Sequence, residues 1–170
     1  MSTLKVDTVQ STGGSTIFTH SSGLFKPNAL ICQVKATDLD QSISANTVTK
    51  VNWETVVIDT GSYWDSTNHR YTSGVAGYYL CSGVIRSAEQ EVSLKTLSWR
   101  KNGTQLIENR FQVGDDSLTS GGLPLPTTLI QVNGSGDYID VAFQCEETMT
   151  LSTNDEPYHS EINIILVHAT

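Results

Sequence analysis

The segment Gly77–Arg86, which reads GYYLCSGVIR, carries apolar side chains on both sides of an extended chain. Successive side chains of a β-strand point to opposite faces of the sheet. Tyr79 and Ile85 therefore share one face, while Leu80 and Val84 share the other. The composition of the segment favours a β-strand that is buried on both faces.

A second segment repeats this pattern near the end of the chain. In Ile162–Val167, which reads INIILV, Ile164 and Ile165 lie on opposite faces. An antiparallel strand with one face in water alternates between apolar and polar residues. Two strands that are apolar on both faces therefore predict a second buried surface, most simply a contact between subunits. The alternative is a long loop folded over one sheet.

The rest of the chain reads as short strands separated by Gly, Asn, Asp and Ser. No stretch fits a helix of three turns, and only Leu39–Ala45 is compatible with one or two helical turns. The predicted strands are Leu4–Val9, Ile17–Thr19, Leu30–Ala36, Lys50–Asp59, Tyr71–Thr72, Gly77–Arg86, Val92–Arg100, Thr104–Phe111, Thr127–Val132, Tyr138–Cys145, Met149–Ser152 and Glu161–His168. The sequence therefore predicts an all-β protein.

Composition excludes several classes of protein. The chain has 170 residues, a formal net charge of −8 and a pI near 4.8, which argues against nucleic acid as a partner. No segment approaches the roughly 20 apolar residues of a membrane helix, and the first residues do not resemble a secretory signal. Cys32, Cys81 and Cys145 lie far apart in the sequence, so we expect free, buried thiols and no metal site built on them.

A regular spacing of aromatic residues and glycines surrounds the first two-faced strand. The positions are Trp53, Asp59, Trp64, Tyr71, Gly77, Tyr79, Cys81 and Gly83. This spacing resembles the signature of the C1q globular head, in the C1q and tumour-necrosis-factor superfamily. That signature reads aromatic, Asn or Asp, aromatic, Phe, and then Gly-x-Tyr-x-Phe-x-aromatic. Cys81 and Gly83 depart from its last two positions.

Three later segments resemble the same family in the same order: Trp99–Gly103, Gly136–Val141 and Ser160–Val167. The resemblance covers about residues 30–170. It implies a ten-strand antiparallel jelly-roll sandwich that forms a homotrimer about an axis lined by apolar side chains. We therefore expect the three residues Tyr79, Ile164 and Ile165, or their immediate neighbours, at the trimer interface. The pattern does not decide which strand face points to the axis.

The first thirty residues differ from the rest. Leu4–Gln10, followed by a Gly-, Ser- and Thr-rich stretch, resembles the opening of many phage virion and tail-fibre proteins, particularly those of marine phages. We expect residues 1–29 to form an extended arm without a partner strand of its own, and residues 30–170 to form the head. The resemblance implies that Leu4, Val6 and Val9 anchor the chain to a virion.

Motifs of catalysis are absent from the sequence: there is no nucleophile elbow, zinc-binding pair or phosphate loop. The protein is predicted not to be an enzyme and to need no cofactor. One acidic segment offers candidate ligands for Ca²⁺, namely Asp155, Glu156 and Glu161, with a solvated acidic loop as the alternative. Asn102-Gly103 and Asn133-Gly134 each predict a tight hairpin turn.

Together these features favour a virion structural protein. It would be a short trimeric fibre or surface decoration of a bacteriophage, assembled in the host cytoplasm, bound to capsid or tail proteins, and contacting a glycan or protein on the host surface. Two alternatives stay open: a purely structural capsid cement protein without a receptor, and a soluble C1q-like ligand-binding module of cellular origin.

Overall fold

The computed structural model describes residues 8–10, 16–21, 24–27, 29–36, 40–87, 94–112, 121–152 and 160–170. The chain divides into two compact units, Met1–Leu30 and Ile31–Thr170. Unit 1 contains three antiparallel strands in the order β1-β2-β3. Their bounds are Thr8–Gln10 for β1, Thr16–Ser21 for β2 and Leu24–Pro27 for β3.

This small sheet corrects the expectation of an arm without partner strands. The backbone of Val9 lies opposite Phe18, and Phe18 lies opposite Pro27. The connecting segments are rich in Gly and Ser, which favour chain reversal, and they let three short strands pair with one another.

The described residues of unit 2 form thirteen β-strands joined by turns and loops, with no helix among them. Their bounds are Ile31–Ala36 (β4), Asp40–Ile43 (β5), Thr49–Lys50 (β6), Thr55–Asp59 (β7), Trp64–Asp65 (β8), Arg70–Tyr71 (β9), Ala76–Ser87 (β10), Leu94–Lys101 (β11), Thr104–Gln112 (β12), Gly121–Asn133 (β13), Ile139–Cys145 (β14), Met149–Ser152 (β15) and Ser160–Ala169 (β16).

Two antiparallel sheets make a sandwich. The first has the strand order β13-β10-β16-β4-β7, and the second has the order β12-β11-β14-β9-β8 with β6 beside β14. A separate pair joins β15 to β5. We call these the first sheet and the second sheet. Their inner faces supply a core whose largest fully buried side chains are Trp53, Trp99, Tyr71, Tyr79 and Phe143.

The residues of the aromatic signature hold this core and its loops. Asp59 accepts hydrogen bonds from the backbone N–H of Trp64 (2.7 Å) and of Gly61 (3.3 Å), so one carboxylate closes the turn after β7. The Tyr79 hydroxyl donates to the carbonyl of Val75 (2.9 Å) and lies 2.5 Å from the Ser73 hydroxyl. The buried phenol is thus fully bonded, as a buried polar group must be.

The glycines of the signature mark close approaches of backbone. A Cβ atom at Gly77 would lie 2.3 Å from the carbonyl oxygen of His168. At Gly83 it would lie 2.6 Å from the carbonyl oxygen of Glu161. Both neighbours belong to β16, so β10 and β16 can pair this closely only because these two positions lack side chains.

No disulfide joins the three cysteines, and all three are buried, as predicted. Cys32 and Cys81 both lie opposite Ile164, on β4 and β10 respectively. Two strand spacings, roughly 10 Å, therefore separate them, which is beyond the reach of a disulfide. Burial raises the pKa of Cys32 to about 12, with the nearby Asp59 carboxylate adding to the shift.

Several predicted elements need correction. Residues 40–43 form β5 instead of a helical turn, with Ile43 buried against the core. The predicted strand Lys50–Asp59 is two strands in different sheets, β6 and β7. Strand β13 begins at Gly121, well before the predicted start at Thr127, and runs through Pro124 and Pro126. An edge strand tolerates proline because its outer N–H groups need no partner.

The two Asn-Gly pairs turn out differently. Asn102 and Gly103 both have positive φ (53° and 76°) and connect β11 to β12 as the predicted hairpin. Asn133 instead ends β13, and Gly134 begins a longer connection to β14, which lies in a different sheet. That second hairpin prediction was wrong.

Candidate subunit interface

A row of aliphatic side chains crosses the outer face of the first sheet. Leu80 on β10 lies opposite Leu129 on β13 and opposite Ile165 on β16, and Ile165 lies opposite Ile31 on β4. The row therefore spans four adjacent strands, about 14 Å at the usual strand spacing. Leu129 is 57% exposed, whereas Tyr79, the inward neighbour of Leu80, is fully buried. The residues Leu80, Leu129, Ile165 and Ile31 form what we call the aliphatic row.

Aromatic and aliphatic groups extend the apolar area at one end of the row. Tyr78 precedes Leu80 on the same face of β10, and its ring lies 6.3 Å from that of His168, its cross-strand partner on β16. The neighbouring Val167 is about half exposed. Apolar side chains that lie together on an outer face in this way form a candidate interaction surface.

Polar pairs border the other side of the aliphatic row. The Gln33 amide donates a hydrogen bond of 2.9 Å to Asn163 Oδ1, next to the half-buried Ser82. Further along the strands, Lys35 Nζ lies 3.8 Å from Glu161 Oε2. On β4 and β16 the outer face thus changes from apolar to polar and then to charged along the strand direction.

The outer face of the second sheet has a different character. Its central positions, Ser98 and Ala142, are small and lie opposite each other. The guanidinium of Arg100 donates two hydrogen bonds, of 2.7 Å and 2.8 Å, to the carboxylate of Asp140. These central groups are largely enclosed, since Ser98, Ala142 and Asp140 are each at most 3% exposed. Among the described residues, the central strands β11 and β14 expose no large apolar side chain, in contrast to the aliphatic row of the first sheet.

Two of the three residues predicted at the trimer interface lie elsewhere. Tyr79 is fully buried and Ile164 is 1% exposed, because both face the second sheet inside the sandwich. Neither side chain is exposed on the single chain; because the prediction also allowed their immediate neighbours, the interface stays a prediction. Ile165 lies on the outer face, where its half-buried side chain joins the aliphatic row. Tyr78 and Leu80, which flank Tyr79 along β10, lie on the outer face with Ile165.

The interface prediction did not include Ile31 and Leu129, although the sequence carries a signal for both. Each alternates with a buried residue, Cys32 beside Ile31 and Ile130 beside Leu129. Four strands therefore carry the two-faced pattern, and the prediction rests on only two of them.

The remaining predicted site residues are only partly described. Asp155 and Glu156, the candidate Ca²⁺ ligands, lie outside the described residues, and Glu161 pairs with Lys35. Among the residues that the structure describes, no group of three or more His, Cys, Asp and Glu side chains could hold a metal ion. Leu4 and Val6 also lie outside the described residues, while Val9 lies in β1. The Ca²⁺ site and the virion anchor stay predictions.

Comparison with known proteins identifies the fold. The chain is similar to murine APRIL, with a TM-score of 0.58 and 14% identity over 82% of this chain and 99% of that one. It is also similar to the Eiger TNF of S. frugiperda, with a TM-score of 0.57 and 12% identity over 82% and 92% of the two chains. No family profile matches the sequence, and neither does any curated protein.

These similarities show that the protein has a jelly-roll fold of the C1q and tumour-necrosis-factor type, as the signature implied. The two main sheets, of five and six strands, agree broadly with the ten strands expected. Within the described part of the chain, no helix is long and apolar enough to span a membrane.

Proposed function

We propose that this protein is a homotrimeric structural protein of a bacteriophage virion, a short fibre or surface decoration whose jelly-roll head faces outward. The aliphatic row on the outer face of the first sheet is the observation that carries the assembly. The resemblance of the N-terminal sequence to virion proteins supports a location on the virion. Unit 1 attaches the protein to capsid or tail proteins, and unit 2 meets the host surface.

Burial of exposed aliphatic side chains contributes to assembly. Leu129 and Val167 expose about half of their surface in the single chain, so covering each one contributes about half of the roughly 1.5–3 kcal/mol gained by burying such a side chain completely. A ring of three chains covers each apolar face once and leaves no open end on which further copies could add. The homotrimer is also the assembly that the C1q resemblance implies.

The trimer gives the head a mode of recognition. Three identical heads on one particle bind a repeated surface group through weak single contacts, and the combined avidity exceeds the affinity of each contact. The outer face of the second sheet stays available, because the proposed assembly uses only the first sheet. No catalytic step is part of this function, and the absence of enzyme activity stays a prediction.

Oligomeric state tests the assembly. Native mass measurement of the full chain is expected to give three copies. In Leu129→Asp a charge would have to be buried in the interface, which is strongly unfavourable, so this variant is expected to be monomeric. Val48→Asp is the matched control, since Val48 is exposed to a similar degree (48%) and lies outside the first sheet. A monomeric wild type, or a trimeric Leu129→Asp, contradicts the proposal.

Particle binding tests the location and the role. A shortened chain of residues 29–170 is expected to fold and to form trimers but to leave particles undecorated, while the full chain decorates them. Inhibition of phage adsorption by the free head supports host contact. Decoration without inhibition indicates a cement protein instead, and failure of the full chain to bind particles favours the cellular ligand-binding module.

A further inference from the structure

Asp137 joins the two Asn-Gly turns at one end of the sandwich. Its Oδ1 accepts a hydrogen bond from the side-chain amide of Asn102 (2.7 Å), and its Oδ2 accepts one from the backbone N–H of Asn133 (2.9 Å). Lys101 Nζ lies 2.8 Å from the same carboxylate. The two turns thus share one carboxylate, but they hold their asparagine side chains in different ways.

The side chain of Asn102 is fixed at both of its polar atoms. Nδ2 donates to Asp137, and Oδ1 accepts a 2.9 Å hydrogen bond from the backbone N–H of Tyr138. Its backbone is left-handed, with φ of 53°. Rotating this amide therefore requires two hydrogen bonds to break, one of them to a charged group.

The side chain of Asn133 is fixed at one atom only. Its Oδ1 accepts a 2.8 Å hydrogen bond from the backbone N–H of Ser135, and its Nδ2 has no hydrogen-bond partner among the described residues. The side chain is exposed, and the backbone of Asn133 is not among the left-handed positions. The backbone N–H of Gly134 likewise has no partner in the described part of the chain.

An asparagine followed by glycine can lose its amide without an enzyme. The backbone nitrogen of the glycine attacks Cγ of the asparagine, the new C–N bond closes a five-membered succinimide, and ammonia leaves. Water then opens the ring, at one carbonyl to give Asp and at the other to give isoaspartate. Glycine favours ring closure because it has no side chain to obstruct the attack.

We propose that Asn133 is a site of spontaneous deamidation in the folded protein and that Asn102 is protected from it. At Asn133 the attacking nitrogen is free, the leaving amide is unbound, and the Ser135 N–H donates to the oxygen on which negative charge develops. At Asn102 the bond to Asp137 holds the amide in place.

The modification changes the junction that Asp137 organises. A carboxylate at position 133 adds a second negative charge beside Asp137, and like charges in proximity are unfavourable. Isoaspartate also lengthens the backbone by one methylene group. The added methylene lies in the connection between Asn133, which pairs with Ala76, and Asp137, so it alters the geometry of the bond between these two residues.

Timed incubation of the full chain tests this proposal. Samples held in mildly alkaline buffer, folded or in urea, are digested, and the Asn, Asp and isoaspartate peptides are separated and identified by mass spectrometry. In urea the two Asn-Gly pairs are expected to react at the same rate. In the folded protein Asn133 is expected to react about tenfold or more faster than Asn102, because breaking two hydrogen bonds limits the latter.

Two variants sharpen the comparison. Asn133→Gln is expected to abolish the fast reaction, because glutamine closes its larger ring much more slowly. Asp137→Ala is expected to raise the rate at Asn102 toward its value in urea. Equal rates in the folded wild type, a faster reaction at Asn102, or no reaction at Asn133 while the urea sample reacts would each overturn the proposal, whether or not either variant folds.

Discussion

The close approach of β10 to β16 predicts a large effect from a very small change, Gly83→Ala. The added Cβ would lie 2.6 Å from the carbonyl oxygen of Glu161 and 2.7 Å from Ile162 Cγ2. Ordinary contacts begin near 3.4 Å, so the strands must separate by about 0.8 Å. The backbone of β16 cannot yield as a flexible side chain would, because it is paired on its other side with β4.

Two opposing effects set the magnitude. Overpacking of this kind costs roughly 1–3 kcal/mol. Replacing glycine by alanine also restricts the unfolded chain, which stabilises the protein by roughly 0.4–1 kcal/mol. The steric cost is larger, so we expect a net loss of about 1–2 kcal/mol in the free energy of unfolding. For a chain of this length that corresponds to a Tm lower by about 2–8 °C.

Urea unfolding at a fixed protein concentration, followed by tryptophan fluorescence, measures this loss. Gly74→Ala is the matched control, because its Cβ would meet only the side chain of Tyr63, at 3.2 Å. Because this neighbour is a side chain and not backbone, the control is expected to change stability by less than about 0.5 kcal/mol. A Gly83→Ala protein as stable as the wild type would refute the account of why glycine occupies this position.

Two further predictions concern titratable groups. The bonds of Asp137 to Lys101 and Asn102 lower the pKa of its carboxyl group to about 2. The contribution of this group to stability is therefore complete above its usual pKa near 4 and is lost as the pH falls toward 2. Asp137→Asn is expected to flatten the fall in stability between pH 4 and pH 2 in acid unfolding curves. Burial raises the pKa of the Cys32 and Cys81 thiols, so both are expected to react with iodoacetamide only after unfolding, and labelling of the native protein would show them to be accessible.

The aromatic signature was sufficient to predict the sandwich, because each of its residues meets a local structural requirement. Asp59 is needed to close a turn, and Gly77 is needed where a neighbouring carbonyl leaves no room for a side chain. Gly83 departs from the aromatic residue of the signature, and the structure explains the departure. A Cβ at Gly83 would lie 3.0 Å from Leu125 Cδ1, so a side chain from β13 already fills that space.

The side of each two-faced strand that belongs to the core was not predictable from the strand alone. Tyr79 and Leu80 are both large and apolar, and only the position of the second sheet decides which of them is enclosed. The start of β13 at Gly121 could not be predicted for a related reason. Pro124 and Pro126 normally end strands, and they are tolerated here because β13 lies at a sheet edge, a property of the topology and not of the local sequence.

The polar border formed by Gln33, Asn163 and Ser82 has a consequence for the geometry of assembly. An apolar surface attracts without direction, so two such surfaces can slide or rotate against each other at little cost. A neighbouring chain that slid toward Gln33 would cover amides already bonded to each other and would remove them from water without offering new partners. In the proposed trimer, sliding in this direction is therefore disfavoured, which favours contact through the aliphatic row.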